Sequence, residues 1–254
     1  MTRNIKLTLE YDGTHFNGWQ IQDSNQRTVQ GEIEKVLPRI FKKKCKLTGS
    51  GRTDSGVHAK AQAANFKIKS AMTPLKILKA MNAWLPPDIA VTLVEEAPLK
   101  FHAQYSAKSK TYRYTILNRP SRSALTRQFS FFYPYPLNLS LMRREAKNLL
   151  GKKDFRSFQA SDPFVMRSGQ SKEKTSIRTM KKIDIKKRGD LIHIDMEADG
   201  FLYKMVRNIV GTLLQIGSGR RPGRSVRKIL QEKRRSAAGP TVPSEGLCLV
   251  EVKY

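Results

Sequence analysis

The stretch Asn4-Ile5-Lys6-Leu7-Thr8-Leu9-Glu10-Tyr11 decides the fold of the first half of the chain. Its apolar side chains alternate with polar ones, which is the period of a β-strand whose two faces differ. Asp12-Gly13 follows and interrupts the alternation with a turn signal. The sequence therefore predicts a first strand over Asn4–Tyr11.

The elements after this strand extend the pattern. An apolar stripe predicts a helix from Val29 to Lys43, with Pro38 expected to kink or end it. Further along, the sequence predicts strands at Cys45–Thr48 and Ala61–Lys69, a helix from Pro74 to Leu85, and a strand at Ile89–Glu95. The order β-α-β-β-α-β is that of a split β-α-β unit.

The second half is predicted to contain a similar alternation of strands and helices. We expect strands at Thr111–Leu117 and Leu247–Val252, a hairpin of Arg178–Lys187 with Leu191–Glu197, helices at Leu139–Leu150 and Phe201–Ile216, and a short helix Val226–Glu232 capped by Ser225. Ser121–Pro136 is predicted to be a loop-rich insertion and Ser161–Thr175 a polar loop. The predicted fold class is α+β, with one ferredoxin-like half at 1–105 and another at 106–254.

The composition points to a polyanionic partner. The 254 residues hold 48 Lys and Arg against 21 Asp and Glu, a formal charge of +27. Such a chain is attracted to nucleic acid, to an anionic membrane surface or to an acidic protein. No run of 18 apolar residues and no signal-peptide core is present, and Cys45 and Cys248 cannot build a disulfide framework. We expect a cytoplasmic protein that contacts nucleic acid.

The densest positive charge lies between Arg220 and Arg235, which hold eight basic residues and one acid, Glu232. A solvated helix face is the simpler interpretation of one charge run. Because the whole chain is basic, we favour phosphate contacts, with Arg220, Arg221 and Arg224 as candidates. A membrane-surface helix is disfavoured because the segment has few apolar residues. A ribosomal protein would suit the charge, but no long basic tail is evident.

A glycine-rich segment carries the clearest chemical signal. Gly49-Ser50-Gly51-Arg52-Thr53-Asp54-Ser55-Gly56-Val57-His58-Ala59 places one carboxylate among three glycines. A carboxylate near Arg52 in so basic a chain is expected to stay ionised, as a nucleophile or base requires. The same residues would also suit an Asx-turn in which Asp54 only bonds its own backbone.

Two further residues are candidates. Tyr112 shares a strand face with Tyr114 and would either stack on a base or pack in a core. Arg207 lies in an apolar predicted helix, so it needs a partner such as Asp54 if it is buried, or else extends to solvent. His15 and His58 are weak general-base candidates. Neither a phosphate-binding loop, a dinucleotide-binding motif nor a metal-ligand cluster is evident.

At these residues the sequence resembles the TruA-type tRNA pseudouridine synthases along nearly its whole length. Six blocks match in order: Tyr11–Gln20, Gly51–Ala59, Asn82–Pro86 with Asp88-Ile89, Phe101–Tyr114, Phe201–Gly211, and Ala238–Thr241 with Gly246–Val250. The resemblance implies an isomerase without cofactor that converts uridine to pseudouridine in the anticodon stem-loop of tRNA, at positions 38 to 40. It also implies a homodimer whose two α+β halves flank a central basic catalytic cleft.

The resemblance also implies roles for individual residues. Asp54 takes the place of the nucleophile, and Tyr112 that of the tyrosine that stacks on the target base and accepts its C5 proton. Arg207 would pair with Asp54, Arg52 would hold the flipped nucleotide, and Leu247 or Leu249 would line the pocket. Attack of the carboxylate at C6, attack at C1′ and a glycal route all remain open. The rival hypothesis is a non-catalytic RNA-binding protein on the same scaffold.

Overall fold

A computed structural model of the chain describes residues 1–22, 26–161 and 175–254. The described strands are β1 (Thr2–Tyr11), β2 (Thr48–Gly49), β3 (His58–Lys69), β4 (Ile89–Ala97), β5 (Ser109–Leu117), β6 (Phe131–Phe132), β7 (Gly151–Asp154), β8 (Ile177–Arg188), β9 (Leu191–Ala198) and β10 (Leu247–Lys253). The described α-helices are α1 (Val29–Phe41), α2 (Pro74–Trp84), α3 (Leu139–Ala146), α4 (Met205–Gly217) and α5 (Ser225–Glu232).

The chain divides into two compact units. The first unit is Met1–Lys110 together with Cys248–Tyr254, and the second unit is Thr111–Leu247. The sequence predicts one half at 1–105 and the other at 106–254, whereas the first unit extends to Lys110 and also includes Cys248–Tyr254. The last strand joins the first unit because Cys248 and Leu249 of β10 pair in parallel with the start of β3.

The first unit has the predicted β-α-β-β-α-β order. Strand β1 lies between β3 and β4, antiparallel to both, and β2 pairs antiparallel with β3. The resulting order β4-β1-β3-β2 is ferredoxin-like. The alternation that opened the sequence is confirmed, since Ile5, Leu7 and Leu9 are fully buried.

The two helices of the first unit begin at residues that stabilise a helix N-terminus. Thr28 caps α1 through its hydroxyl, and Thr73 caps α2 immediately before Pro74. Pro38 lies inside α1 without ending it. The helix stops at Phe41 because Lys42 takes a left-handed conformation, two residues before the predicted end.

The second unit contains a sheet of order β5-β9-β8-β7. The predicted hairpin is confirmed, with Arg188 paired to Leu191 at its turn. The predicted helix to Leu150 is wrong at its end, because α3 stops at Ala146 and a 3-10 turn follows. Gly151 then begins β7, a short edge strand without the alternation that sequence patterns detect. Strand β6, inside the predicted insertion, was also missed; it pairs with β5.

Two helix starts in the second unit differ from the prediction. Helix α4 begins at Met205 rather than Phe201, because Lys204 has a positive φ of 56°. Helix α5 begins at Ser225, so Ser225 is not its cap. The carboxylate of Glu145 accepts the backbone N–H groups of Arg224 (2.8 Å) and Val226 (3.3 Å) and takes over capping.

Within the described ranges, no helix is long and apolar enough to cross a membrane. The polar loop predicted at Ser161–Thr175 lies almost wholly outside the described residues.

Candidate active site

The glycine-rich segment forms a loop between β2 and β3 whose base is fixed by buried polar groups. The Ser50 N–H donates to the Ala63 carbonyl (2.7 Å), and the Ser50 hydroxyl donates to Gln62 Oε1 (2.6 Å). Gln62 Nε2 in turn donates to the Gly51 carbonyl at 3.0 Å. Ser50 and Gln62 are fully buried, so these bonds form away from competing water.

The far side of the loop is held by the segment that follows β1. The Trp19 N–H donates to the Thr53 carbonyl (3.1 Å), and the Gly56 N–H donates to the Phe16 carbonyl (3.2 Å). Gly18 has a φ of +86°, and a Cβ there would lie 2.5 Å from the Thr53 carbonyl oxygen. Only glycine allows this approach, which explains the glycine of the first matched block.

Asp54 lies at the tip of this braced loop. It is half-buried, between buried Thr53 and exposed Ser55, and its carbonyl accepts the Val57 N–H at 3.2 Å. Thr53 shares a hydrogen bond of 2.8 Å with the Tyr11 hydroxyl. The backbone on both sides of Asp54 is thus fixed while the residue itself keeps access to solvent.

Arg52 and His58, the other two candidates on this loop, differ in burial. Arg52 is exposed on the same loop as Asp54. His58 is buried, and its Nδ1 accepts the backbone N–H of Gly13 at 3.0 Å. That bond ties the loop's end to the turn after β1, so His58 supports the loop, and its general-base role stays a prediction.

Lys110 reaches the loop base from the end of the first unit. Its Nζ donates to the Ser50 carbonyl at 2.5 Å. Burial of this ammonium lowers the pKa of Lys110 from 10.5 to about 8. No sequence signal had singled out Lys110, because a lysine in a basic chain looks like any other until its position is known.

The lowered pKa predicts a pH dependence of stability. Between pH 8 and 10.5 the unfolded chain holds the Lys110 proton while the folded chain has released it. The free energy of unfolding of the wild type, relative to Lys110→Met, should therefore rise with pH, by about 1–2 kcal/mol between roughly pH 8 and 9.5. Denaturant titrations of both proteins at several pH values measure this difference, and a flat difference would contradict the burial of the charge.

Strand β10 supplies apolar side chains beside the loop's exit. Leu249 is 1% exposed and lies opposite Ala59 in the parallel pairing with β3. Leu247, which belongs to the second unit, is 5% exposed and lies two residues earlier on the same strand. Both candidates are therefore buried, as a pocket wall or a core requires.

Tyr112 lies on β5 in the second unit. The predicted shared face is confirmed, since Tyr112, Tyr114 and Ile116 are all buried. The Tyr112 ring is 8% exposed and makes an edge contact with Phe201, with centroids 5.1 Å apart. Core packing thus accounts for part of this tyrosine's surroundings.

Arg207 lies in the first turn of α4 because the helix begins late. It is half-buried, and its Nε donates to the Val242 carbonyl at 2.7 Å. The same loop presses on α4, since a Cβ at Gly211 would lie 1.9 Å from the Pro240 carbonyl oxygen. The guanidinium is thereby oriented by Val242, the residue directly after the Ala238–Thr241 part of the last matched block.

A buried polar network beneath this loop was missed from the sequence. Arg235 donates to Asn208 Oδ1 (3.0 Å) and to the Thr241 hydroxyl (3.1 Å), and Asn208 Nδ2 donates to the Phe158 carbonyl (2.8 Å). Burial lowers the pKa of Arg235. One of the eight basic residues between Arg220 and Arg235 is therefore turned inward to hold the loop.

The three arginines proposed to bind phosphate differ in how accessible their guanidinium groups are. Arg220 is exposed, with its guanidinium 5.3 Å from the ring centroid of Tyr135. Arg221 is half-buried and donates to Gln215 Oε1 (3.2 Å) and the Ala237 carbonyl (2.8 Å). Arg224 has an exposed side chain, although its backbone N–H donates to the Glu145 carboxylate that caps α5. Arg220 and Arg224 therefore keep free access to an anion, while Arg221 also supports the fold.

The predicted site residues divide between the two units. The first unit holds Arg52, Asp54 and Leu249, and the second holds Tyr112, Arg207, Leu247, Arg220, Arg221 and Arg224. The pairing of Arg207 with Asp54 and their shared cleft stay predictions. Among the residues that the structure describes, no three His, Cys, Asp or Glu side chains are grouped as a metal site would need.

The chain is similar to known proteins along nearly its whole length. The sequence matches the family described as tRNA pseudouridine synthase over residues 8–106 and 146–254, which include Asp54, Arg207 and the last matched block. It is 44% identical to tRNA pseudouridine synthase A of Clostridium acetobutylicum over 252 residues, covering 99% of this chain and all of that protein. The proteins of the same name from Caldicellulosiruptor bescii and Geobacillus kaustophilus are 43% and 42% identical, over 99% and 100% of this chain and 100% and 95% of theirs.

Proposed function

Because this chain belongs to the tRNA pseudouridine synthase family, it is an isomerase that converts uridine to pseudouridine in tRNA, and we propose that Asp54 is its nucleophile. The observation that carries this proposal is the braced loop, which presents a half-buried aspartate on a fixed backbone. A nucleophile must be held in place yet reach its substrate, and this loop meets both needs.

Conversion of uridine to pseudouridine rearranges bonds and protons within one nucleotide. The bond between N1 of uracil and C1′ breaks, a bond from C5 to C1′ forms, C5 loses a proton and N1 gains one. No electrons are exchanged with a partner, so side chains suffice in principle. Attack of Asp54 at C6, attack at C1′ and a glycal route remain the three alternatives.

We assign the other roles from the resemblance of the matched sequence blocks and from the local contacts. Tyr112 stacks on the target base and accepts its C5 proton, Arg207 pairs with Asp54, and Arg52 holds the nucleotide. Leu247 and Leu249 contribute apolar pocket wall, consistent with their burial. A uridine in a helical stem must be flipped out first, which costs a few kcal/mol that phosphate contacts offset.

The substrate region and assembly belong to the same proposal. We propose that the uridines lie in the anticodon stem-loop at positions 38 to 40, and that the enzyme acts as a homodimer in the cytoplasm. Mapping pseudouridines in total tRNA with and without this protein tests the positions. Loss of pseudouridine only outside the anticodon arm would refute this assignment.

The exposed arginines predict a specific salt dependence. Replacing Arg220 and Arg224 together by Gln should weaken tRNA binding and reduce the slope of log K against log salt by about 1.4–1.8, since each phosphate contact contributes about 0.7–0.9. Binding titrations at several salt concentrations measure the slope.

Arg221 is best tested separately, because its loss also removes two hydrogen bonds within the fold. The matched control is Lys67→Gln with Lys69→Gln, two exposed residues of β3 in the first unit. An equal change of slope in both double variants would mean that net charge, and not this patch, determines the salt dependence.

A further inference from the structure

We propose that Lys110 is a positioning residue that holds the Asp54 loop in its reactive geometry through the Ser50 carbonyl. The inference rests on the proposed function, because it concerns the same loop. Lys110 does not contact the reacting atoms in this proposal; it acts through the backbone four residues before Asp54.

The first support is the contact itself. Lys110 Nζ lies 2.5 Å from the Ser50 carbonyl oxygen, at the residue where the loop leaves its buried base. Ser50 is also held through its N–H and its hydroxyl, by Ala63 and Gln62. Its N–H, carbonyl and hydroxyl are therefore all engaged, and only the carbonyl depends on a charged side chain.

The second support is the glycine beside it. A Cβ at Gly51 would lie 2.7 Å from Lys110 Nζ, with Lys110 Cε next at 3.6 Å. Gly51 has no positive φ, so its backbone would accept alanine without strain. The space that Gly51 leaves is thus the space that the ammonium group fills.

The third support is the free-energy cost of placing the Lys110 ammonium group in this partly buried position. Lys110 is half-buried, and desolvation lowers the pKa of its ammonium group, so the fold disfavours the charge that it holds beside Ser50. A methionine of similar length would fill the same volume without that penalty. A group kept at the expense of stability is a candidate for a functional role.

The decisive experiment combines kinetics with a double-mutant cycle. Lys110→Met should keep the melting temperature within about 3 °C of wild type or raise it, while kcat on tRNA falls about tenfold or more and KM changes less than twofold. Gly51→Ala should lower kcat similarly, because its methyl group displaces the flexible amine. In a Lys110→Ala background Gly51→Ala should cost nothing further, since the atoms it would meet are gone.

Two controls keep the result interpretable. Lys67→Met removes an exposed lysine from the far end of β3 and should leave kcat unchanged. Hydrogen–deuterium exchange of the Ser50, Gly56 and Val57 amides should quicken in Lys110→Met whether or not Asp54 is the nucleophile. This readout separates failure of the present proposal from failure of the proposed function.

Three outcomes would overturn the role of Lys110. The first is an unchanged kcat in folded Lys110→Met, and the second is additive losses in the cycle. The third is a fall in kcat that is fully explained by a lower melting temperature of the variant. If Lys110→Met does not fold, Gly51→Ala alone decides, and its wild-type kcat would refute the proposal.

Discussion

Asp54→Asn should abolish pseudouridine formation while leaving tRNA binding nearly unchanged. The amide keeps the size of the side chain and its place at the loop tip, but it is a poor nucleophile. Loss of a catalytic nucleophile typically lowers turnover by about four to six orders of magnitude. Tritium release from C5-labelled uridine in tRNA measures turnover, and a filter-binding titration measures affinity.

The matched control for this variant is Glu10→Gln, which removes one exposed carboxylate from the end of β1 in the same unit. It changes the net charge equally, so it should retain turnover. Tritium release by Asp54→Asn at the wild-type rate would remove Asp54 from the mechanism. Absence of release by the wild type on every tRNA would favour the rival hypothesis of an RNA-binding protein.

The first unit was largely predictable because its signals are local. The alternation at Asn4–Tyr11, the apolar stripe of Val29–Lys43 and Pro74 at a first helical position each act within a few residues. The single carboxylate among three glycines is likewise a local signal, and it marks the Asp54 loop. What periodicity could not provide was the bracing of that loop by Gln62 and Trp19, since those contacts join segments distant in sequence.

The errors in the second unit arise where tertiary contacts override local preference. The apolar run from Phe201 predicts one long helix, yet Lys204 turns left-handed and Phe201 packs on Tyr112 instead. Ser225 looks like a cap, but Glu145 from α3 reaches the same N–H groups. Charge counting likewise treated Arg235 as a surface residue, whereas it bonds Asn208 and Thr241.

Tyr112→Phe has the second largest expected effect. Phenylalanine keeps the ring, so the edge contact with Phe201 and the packing of β5 are preserved. If the hydroxyl accepts the C5 proton, turnover should fall about 10²–10⁴-fold with little change in affinity for tRNA. Single-turnover assays with tRNA carrying deuterium at C5 of uridine give a second readout, because proton removal should then limit the rate and show an isotope effect.

Tyr114→Phe is the control that separates chemistry from packing. Tyr114 lies on the same face of the same strand, and its hydroxyl donates to the Pro243 carbonyl at 2.8 Å. Its loss should cost about 0.5–1.5 kcal/mol of stability without a matching loss of turnover. If both variants lose turnover equally, the fall reports packing of β5. If Tyr112→Phe turns over like wild type, the ring acts only by stacking, and another group must take the C5 proton.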